Sequence, residues 1–158
     1  MSEAAAASAS TSPFARYQPE PPVRETPVSV SLAPASPAEV EELAALQVGV
    51  RGELAGYSNV TYLSQHPIDD APAGYYLTGV SVSPRWRRRG IGGALTRWRM
   101  DWAWRRAPEV WCFVSARNPA SLDLHRMLGF AEVRRAASLQ GVGFDGGAGV
   151  LLRAGRPD

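Results

Sequence analysis

The sequence predicts an α+β fold in a chain of 158 residues, the length of one ordinary domain. Short runs in which apolar residues alternate with small or polar ones recur from Val28 onward, as is typical of β-strands. Between two of these runs lies an apolar stripe at helical spacing, formed by Ile91, Leu95, Trp98 and Trp102. Strand and helix signals alternate without an internal repeat, so we expect one domain over residues 28–158.

Residues 1–27 have the composition of a disordered tail. They combine Ala and Ser runs with five prolines, at Pro13, Pro19, Pro21, Pro22 and Pro27. The large apolar side chains among them are too few to offset the entropy lost when a chain is ordered. The predicted domain therefore begins near Val28.

The first elements are predicted from short local signals. Apolar residues alternate with small ones over 28–32, which favours a strand. Ser36 and Pro37 have the order of an N-cap and a first helical residue. A short helix is therefore expected over residues 38–46.

A hairpin and a central strand follow. The runs 47–51 and 54–62 favour β-structure and are split by an Arg-Gly-Glu turn, which predicts the hairpin. Residues 65–74 contain prolines and aspartates and form a predicted loop. The aromatic and β-branched run 75–83 predicts a strand that the next proline stops.

The second half of the chain alternates helix and strand. After an Arg/Gly-rich turn, the apolar stripe predicts a helix of about four turns that ends before Pro108. Residues 109–115 are a predicted strand and 119–128 a predicted helix, with Gly129 as its C-cap. Two further β segments complete the prediction, near residues 132–139 and 150–153.

Composition excludes several functional classes. A net charge of +2 argues against a domain that binds nucleic acid through its overall charge. The chain has no lysine, which excludes Schiff-base chemistry on a lysine and is typical of a GC-rich bacterium. Cys112 is the only cysteine, so neither an internal disulfide nor a zinc-type metal site is expected. Without a signal peptide or a membrane-length apolar run, the protein is predicted to be cytoplasmic, with no membrane partner.

The segment from Val80 to Arg97 has the form of an anion-binding site, because a strand leads through a glycine turn into a helix. Backbone N–H groups at a helix start have no intrahelical partner and lie at the positive end of the helix dipole. They can therefore bind phosphate, closely where glycine removes the Cβ and more strongly beside arginine. The turn contains Gly90, Gly92 and Gly93, and Arg87, Arg88 and Arg89.

The letters of this turn distinguish between known phosphate motifs. A P-loop requires a lysine, and a dinucleotide fingerprint requires a third glycine where this chain has Leu95. The R-x-x-G-x-G motif at 87–92 instead resembles the coenzyme A pyrophosphate loop of the GCN5-related N-acetyltransferase family. A second stretch, Asn118 to Phe130, resembles the late motif of that family, with an asparagine, a small residue and a final Gly-Phe. The two motifs occur in the family's order, and the resemblance covers roughly residues 28–153.

The resemblance implies a three-layer version of the α+β fold. A mixed, mostly antiparallel central sheet would carry helices on both faces, and its central strands, 75–83 and 109–115, would splay apart. The pantetheine arm of acetyl-CoA would lie in the gap, bound by main-chain groups of Val80 and Val82. A free N–H there would polarise the thioester carbonyl. The same two valines also suit the core, since side chain and backbone act independently.

The resemblance also assigns the rest of the coenzyme site. The backbone from Arg88 through Gly93 would hold the pyrophosphate, and the side chains of Arg87 and Arg88 would contact it. The backbone residues of this loop are Arg88, Arg89, Gly90, Ile91, Gly92 and Gly93. Acetyl-CoA would be the co-substrate, and no metal is implied.

Two residues of the late motif have a functional and a structural interpretation each. Asn118 matches a position that hydrogen-bonds the pantetheine arm, and it also suits the N-cap of the helix that starts at Pro119. His125 stands where most family members have a tyrosine proposed to protonate the leaving thiolate. An imidazole suits that catalytic role near neutral pH, but a lone helical histidine can equally be a packed residue.

The general base and the acceptor remain open at this stage. His66, Asp69, Asp70 or a water chain are equivalent candidates for the base. Acidic loop residues, Asp69, Asp70 and Asp145, would suit a cationic amine if they are more than solvated loop charges. A small-molecule amine, such as a polyamine or an aminoglycoside, is the first expectation, and a protein α-amine or lysine the second. Since only one early helix is predicted, the acceptor site is either open or completed by a second subunit in a homodimer.

Two readings from other functional classes remain. The chain could bind acyl-CoA without turnover, as a sensor or an assembly partner. Alternatively, the arginines of residues 85–89 could form a nucleic-acid patch with Trp86. The cluster is short and the domain nearly neutral, so no nucleic-acid partner is expected.

Overall fold

The computed structural model describes residues 31–34, 43–50, 53–144 and 148–158, with nine strands, two α-helices and a 3-10 turn at Pro84–Trp86. The helices are α1 (Ile91–Trp104) and α2 (Pro119–Met127). The strands are β1 (Ser31–Pro34), β2 (Leu43–Val50), β3 (Glu53–Leu63), β4 (Gly74–Val82), β5 (Glu109–Ser115), β6 (Ala131–Ala136), β7 (Ser138–Leu139), β8 (Val142–Gly143) and β9 (Gly149–Gly155).

Seven strands form one mixed sheet in the order β1-β2-β3-β4-β5-β9-β6. All neighbours are antiparallel except the central pair of β4 and β5, which is parallel. β7 and β8 form a separate small hairpin. The predicted mixed, mostly antiparallel sheet of an α+β fold is therefore confirmed.

The main core lies between this sheet and the two helices. Side chains alternate across a strand, so Val110, Cys112 and Val114 of β5 share one face with their partners on β9. That face packs against the fully buried Trp102 of α1 and against Leu122 of α2. Both described helices consequently lie on the same side of the sheet, so the helices on both faces that the resemblance implied are not found within the described residues.

The opposite face of the sheet carries a smaller aromatic cluster. Tyr76 and Trp111 stack there with ring centroids 6.4 Å apart, beside Leu151 of β9. Leu139, from the β7–β8 hairpin, is fully buried against them. In the part of the chain that is described, this hairpin is what covers the second face.

Most predicted elements agree with the structure within a few residues, but the early helix does not. Residues 43–46, predicted as the end of that helix, form the start of β2, which pairs with β3 over eight positions and with β1. The helix-favouring run Leu-Ala-Ala-Leu is overridden here by pairing with β3, and at Leu46 also with β1, an outcome that local propensity does not reveal. The remaining residues of the predicted helix, its Ser36-Pro37 cap, the tail and Asp145 lie outside the described residues.

The longer of the two described helices, α1, has 14 residues. No helix in the described ranges combines the length and the apolar composition that crossing a membrane requires. α1 is instead a helix at the surface of the core, with buried residues on the side that faces the sheet and Asp101 exposed on the opposite side.

Candidate active site

The two central strands of the sheet part soon after they meet. Across the described lengths of β4 and β5, one position is paired, Tyr76 with Trp111. Since the strands are parallel, the unpaired lengths run from this point toward Val82 on β4 and Ser115 on β5. The predicted splay of the central strands is present, and it opens toward the carboxyl ends of both strands.

A β-bulge lies in β4 within the parted region. Ser58 of β3 pairs with Val80 and Asn59 pairs with Thr78, which leaves Gly79 as an extra residue. Gly79 has a φ of 49°, a left-handed conformation that glycine adopts without steric cost. Bulges bend a strand and increase its twist, so this one helps to turn the end of β4 away from β5.

The backbone of β4 beyond the bulge faces the gap at alternate residues. The Ser83 N–H donates to the Ala55 carbonyl at 2.8 Å, so Ser83 and Ser81 direct their main-chain groups toward β3. Val80 and Val82 therefore direct theirs toward β5. This is the direction expected of residues that bind an extended arm between the strands.

One of these groups already has a partner within the chain. The Nε of Arg87 donates to the Val82 carbonyl at 3.0 Å. The Val80 side chain is 39% exposed, whereas Val82 packs against the cluster of Ala55, Trp86, Ile91 and Leu95. Both predicted roles of Val82, in the core and at the gap, are thus compatible with its position.

A compact turn leads from β4 into α1. Its 3-10 segment buries Trp86, which is 6% exposed and packs on Ile91 and Leu95 at the start of α1. Arg88 and Gly90 then have left-handed φ values of 61° and 83°. A Cβ on Gly90 would meet nothing within 4 Å, so the need for glycine here comes from backbone conformation.

The start of α1 has the polarity that anion binding requires. Its first backbone bond runs from the Ala94 N–H to the Gly90 carbonyl, so Ile91, Gly92 and Gly93 carry the N–H groups that precede the helical ladder. No side chain caps this end. A Cβ on Gly92 or Gly93 would stand 3.8 Å from Leu124, an ordinary contact, so α2 lies directly beside this end of α1.

The arginines of the turn differ in their surroundings. Arg85 pairs with Glu53 at 3.1 Å, and the guanidinium of Arg89 lies 5.5 Å from the centre of the Trp86 ring. Arg87 is directed at the Val82 carbonyl, as described above. Arg88 is exposed at the left-handed corner of the turn. The exposed Arg88 side chain is therefore accessible to a bound anion.

Asn118 is the N-cap of α2, as one of its two interpretations predicted. Its Oδ1 accepts a hydrogen bond from the Ser121 N–H at 3.0 Å. Its backbone N–H donates to the carbonyl of Ser115, the last residue of β5. Asn118 therefore lies where β5 ends beside the gap, with its Nδ2 amide group not needed for the cap.

His125 is buried on α2, with 5% of its side chain exposed. Its Nδ1 lies 2.7 Å from the Ser121 carbonyl oxygen, and its ring packs edge-on against Phe130 at 5.2 Å. Because a carbonyl only accepts, this contact places the proton on Nδ1 and leaves Nε2 as an acceptor. Burial lowers the pKa of His125 and the charge of Arg99 lowers it further, against the opposing effect of the Ser121 carbonyl.

The predicted loop acids are not equivalent. The Asp69 carboxylate accepts from the N–H groups of Gly141 and Ala71 at 2.9 and 3.1 Å, and from the Ser138 hydroxyl at 3.3 Å. His66 Nδ1 lies 3.1 Å from the same carboxylate. Desolvation raises the pKa of Asp69, but these hydrogen bonds and His66 together lower it below its ordinary value.

These contacts give Asp69 a structural role. It ties the 64–72 loop to the β7–β8 hairpin, and a carboxylate with a lowered pKa is a weak base. Asp69 is therefore a poor candidate for the general base or for binding a cationic acceptor. Asp70 is exposed and remains a candidate for contact with an acceptor.

The sequence did not predict one residue that contacts β3 and β4 beside the bulge, Arg99 of α1. It is 1% exposed, and its guanidinium reaches the carbonyls of Asn59 and Thr78, which flank the bulge. The sequence shows Arg99 only as one more arginine in an Arg-rich helix. Its partners are 40 and 21 positions away, so no local signal identifies it.

Known proteins resemble this chain in sequence and in fold. The model of the Acetyltransferase (GNAT) family matches residues 11–130. N-alpha-acetyltransferase RimI of Mycobacterium tuberculosis (strain ATCC 25618 / H37Rv) is 36% identical over 88 residues, which are 54% of this chain and 52% of that protein. The aligned region thus spans about half the length of this relative.

Solved acetyltransferase structures have the same fold. Nourseothricin acetyltransferase superposes with a TM-score of 0.60 at 23% identity, covering 73% of this chain and 66% of that one. Arabidopsis thaliana NAA60 in complex with acetyl-CoA gives 0.62 at 16% identity, covering 80% and 98%. The ribosomal-protein-S18-alanine N-acetyltransferase of Escherichia coli gives 0.57 at 20% identity, covering 74% and 71%.

The family match covers most of the chain, and the central strands part where the resemblance implied. The protein belongs to the GNAT family of acetyltransferases.

Proposed function

We propose that this protein transfers the acetyl group of acetyl-CoA to a primary amine, in the gap between β4 and β5. The observation that carries the proposal is the single paired position of these strands, followed by a bulge and by a helix start at the end of β4. This combination provides a slot for an extended thioester and an anion site at one end of the slot.

The coenzyme would be held mainly by main chain. The N–H groups of Ile91, Gly92 and Gly93 and the exposed Arg88 would bind the diphosphate. The pantetheine arm would lie along Val80 and Val82, with the Asn118 amide as a further donor at the end of β5. The Val80 N–H would then stabilise negative charge on the thioester oxygen as the amine attacks.

The reaction needs one proton to move from nitrogen to sulfur. The neutral amine attacks the thioester carbon, the C–S bond breaks, and the products are an amide and the free thiol of coenzyme A. His125 is neutral with Nε2 as its acceptor, so in this proposal it takes the proton from the attacking amine and passes it to the thiolate. It would therefore act first as a base, unlike the tyrosine acid proposed at the matching family position.

For the acceptor we propose a protein α-amine. The 36% identity to RimI, an N-alpha-acetyltransferase, supports this class. A small polycation is the second candidate, supported by the likeness to nourseothricin acetyltransferase. A small cation was expected because acidic loop residues would attract it. That support is weaker in the structure, because the Asp69 carboxylate is hydrogen-bonded within the chain and, of the two aspartates on this loop, only Asp70 is exposed.

The nucleic-acid interpretation of residues 85–89 is disfavoured by their contacts. Trp86 is 6% exposed, so its ring face is not available for stacking on a base. Arg85 is paired with Glu53. A separate alternative is that the protein binds acyl-CoA without turnover. Measured transfer of the acetyl group to any amine would exclude this alternative.

The test is an acetyl-transfer screen with release of free thiol as the readout. The panel contains peptides with free N-termini, the same peptides with blocked N-termini, polyamines, and a streptothricin-type antibiotic. We expect turnover with free α-amines that disappears on blocking. Turnover with the antibiotic alone would favour the second candidate, and acetyl-CoA binding without any transfer would overturn the enzymatic proposal.

The role of His125 is tested in the same assay. His125→Ala and His125→Gln should lower kcat at least about tenfold, within the range that general acid–base catalysis contributes, with little change in acetyl-CoA affinity. The glutamine fills more of the volume, so it controls for a cavity beside Phe130. An unchanged kcat in the folded variants would leave His125 as a packing residue only.

A further inference from the structure

Arg99 is a buried cation without a buried anion beside it. Its side chain is 1% exposed, on the sheet side of α1. Its hydrogen bonds go to neutral oxygens, namely the Leu95, Asn59 and Thr78 carbonyls and the Thr96 hydroxyl. Across the described ranges, no carboxylate lies within ion-pair distance of it. Burial lowers its pKa to about 10, so it stays charged at neutral pH.

An arrangement of this kind opposes folding. Removing a guanidinium from water is costly, and hydrogen bonds to neutral groups compensate only in part. A leucine or methionine would fill a core position on α1 without that cost. Local violations of this kind are expected at functional sites, where the side chain performs a task that an apolar residue cannot.

The contacts of Arg99 indicate the task. Nη1 lies 3.2 Å from the Asn59 carbonyl of β3 and 3.4 Å from the Thr78 carbonyl of β4. These are the residues paired immediately before the extra residue Gly79, where the ladder between the two strands is interrupted. One guanidinium therefore joins the carbonyls of the two residues that are paired on one side of the bulge.

The second terminal nitrogen of the same guanidinium contacts the helix that starts the anion site. Nη2 donates to Thr96 Oγ1 at 3.1 Å, and Thr96 Oγ1 in turn donates to the Gly92 carbonyl at 2.8 Å. Hydrogen bonds thus run from the helix start, through Thr96 and Arg99, to the bulge. The two parts of the site are joined by this chain.

We propose that Arg99 is a positioning residue for acyl transfer. Its hydrogen bonds, made from the α1 side of the sheet, stabilise the β4 bulge and so fix the direction of the Val80 N–H in the gap. This rests on the proposed function for its catalytic consequence. Its structural part, the hold on the bulge, does not depend on that function.

The test uses three variants of the full chain. Arg99→Met removes the guanidinium but keeps an unbranched apolar stem. Arg99→Lys keeps the charge with a single donor group, which cannot bridge two carbonyls and Thr96 with the same geometry. Met100→Ala is the matched control, because Met100 is a neighbouring buried residue of α1 that lies in the main core.

We expect Arg99→Met to lower kcat at least about tenfold while the Kd for acetyl-CoA changes less than about threefold, because the diphosphate site is intact. Arg99→Lys should recover part of the lost kcat. Met100→Ala should lose thermal stability yet keep its kcat. If Arg99→Met keeps the wild-type kcat, or if Met100→Ala loses kcat equally, the catalytic part of the inference is overturned.

A second measurement is independent of turnover. Amide hydrogen exchange of Ser81 and Ser83, which face β3 just past the bulge, should accelerate at least about tenfold in free Arg99→Met, and not in Met100→Ala, because local opening is then easier. If wild-type protein transfers no acetyl group, the proposed function fails, and these amides still decide whether Arg99 holds the bulge. Equal exchange in both variants would overturn the structural part.

Discussion

The Nδ1 of His125 lies 2.7 Å from the backbone carbonyl oxygen of Ser121, one helical turn earlier. This contact sets the tautomer of the imidazole and leaves Nε2 as the acceptor. It also keeps a titratable group neutral within the core, beside Phe130 and under the influence of Arg99. Both the chemistry proposed for His125 and the response of the protein to acid follow from this arrangement.

The protein should lose stability as the pH falls below about 6.5. The folded pKa of His125 is lowered from 6.5, so between the two values the unfolded chain binds more protons than the native one. The free energy of unfolding therefore decreases as pH falls through this window. Denaturant unfolding of wild type and His125→Gln at pH 7.5 and 5.5 checks this, and the variant should show the smaller change. An equal change in both would assign the acid sensitivity to other groups.

Substitutions at Gly90 should separate backbone strain from repulsion of the coenzyme. Gly90→Ala places a Cβ in open space at a φ of 83°, so it should cost about 1 kcal/mol of stability and preserve acetyl-CoA binding. Gly90→Glu adds a carboxylate beside the proposed diphosphate, so its Kd should be about tenfold higher or more than that of the alanine variant. Calorimetric titration with acetyl-CoA measures both. Equal affinities would contradict placement of the diphosphate at this turn.

Asn118 should show two separable roles. Asn118→Asp retains the oxygen that accepts from the Ser121 N–H but removes the Nδ2 donors. It should keep wild-type stability and raise the KM for acetyl-CoA about tenfold, as expected for a lost donor to the arm. Asn118→Ala should raise KM and also lose about 1 kcal/mol, since the cap is gone. A wild-type KM in the aspartate variant would leave Asn118 as a helix cap alone.

Asp69 should matter for stability and not for chemistry. Asp69→Asn weakens the charge-assisted bonds from Gly141, Ala71 and Ser138, at an expected cost of about 2 kcal/mol. Because the folded pKa of Asp69 is lowered below 3.8, its stabilising contribution is full above that pH and is lost as pH falls through the folded pKa. The variant should therefore show a flatter loss of stability in acid, with kcat near wild type. A large fall in kcat at unchanged stability would restore Asp69 as a catalytic base.

The sequence predicted the second half of the fold well because its signals are local. The Ile91 stripe, the Asn118 cap and Gly129, which has a φ of 90°, act within one or two turns of the chain. The early helix was wrong over 43–46 because that stretch is determined by pairing with β3, up to 18 residues away at Leu43 and Thr61. A pattern confined to the segment itself cannot show such a partner.

The candidate site likewise has features that the local sequence predicts and features that depend on contacts across the fold. The glycine turn and the alternation of Val80 and Val82 are visible in the sequence, and the proposed coenzyme site uses both. The bulge at Gly79, the bond from Arg87 to the Val82 carbonyl and the position of Arg99 depend on register and on contacts across the fold. The different environments of Asp69 and Asp70 likewise appear only when the β7–β8 hairpin is in place.

The central claim is that main-chain groups at the end of β4 and the start of α1 bind acetyl-CoA between parted strands. The most direct measurement is a titration of ¹⁵N-labelled protein with coenzyme A, with the backbone amide signals assigned. The largest shifts are expected at Val80, Val82, Ile91, Gly92 and Gly93, and in Gly90→Glu they should require at least about tenfold more coenzyme A. Binding that leaves these five amides unshifted, or no binding at all, would contradict the account.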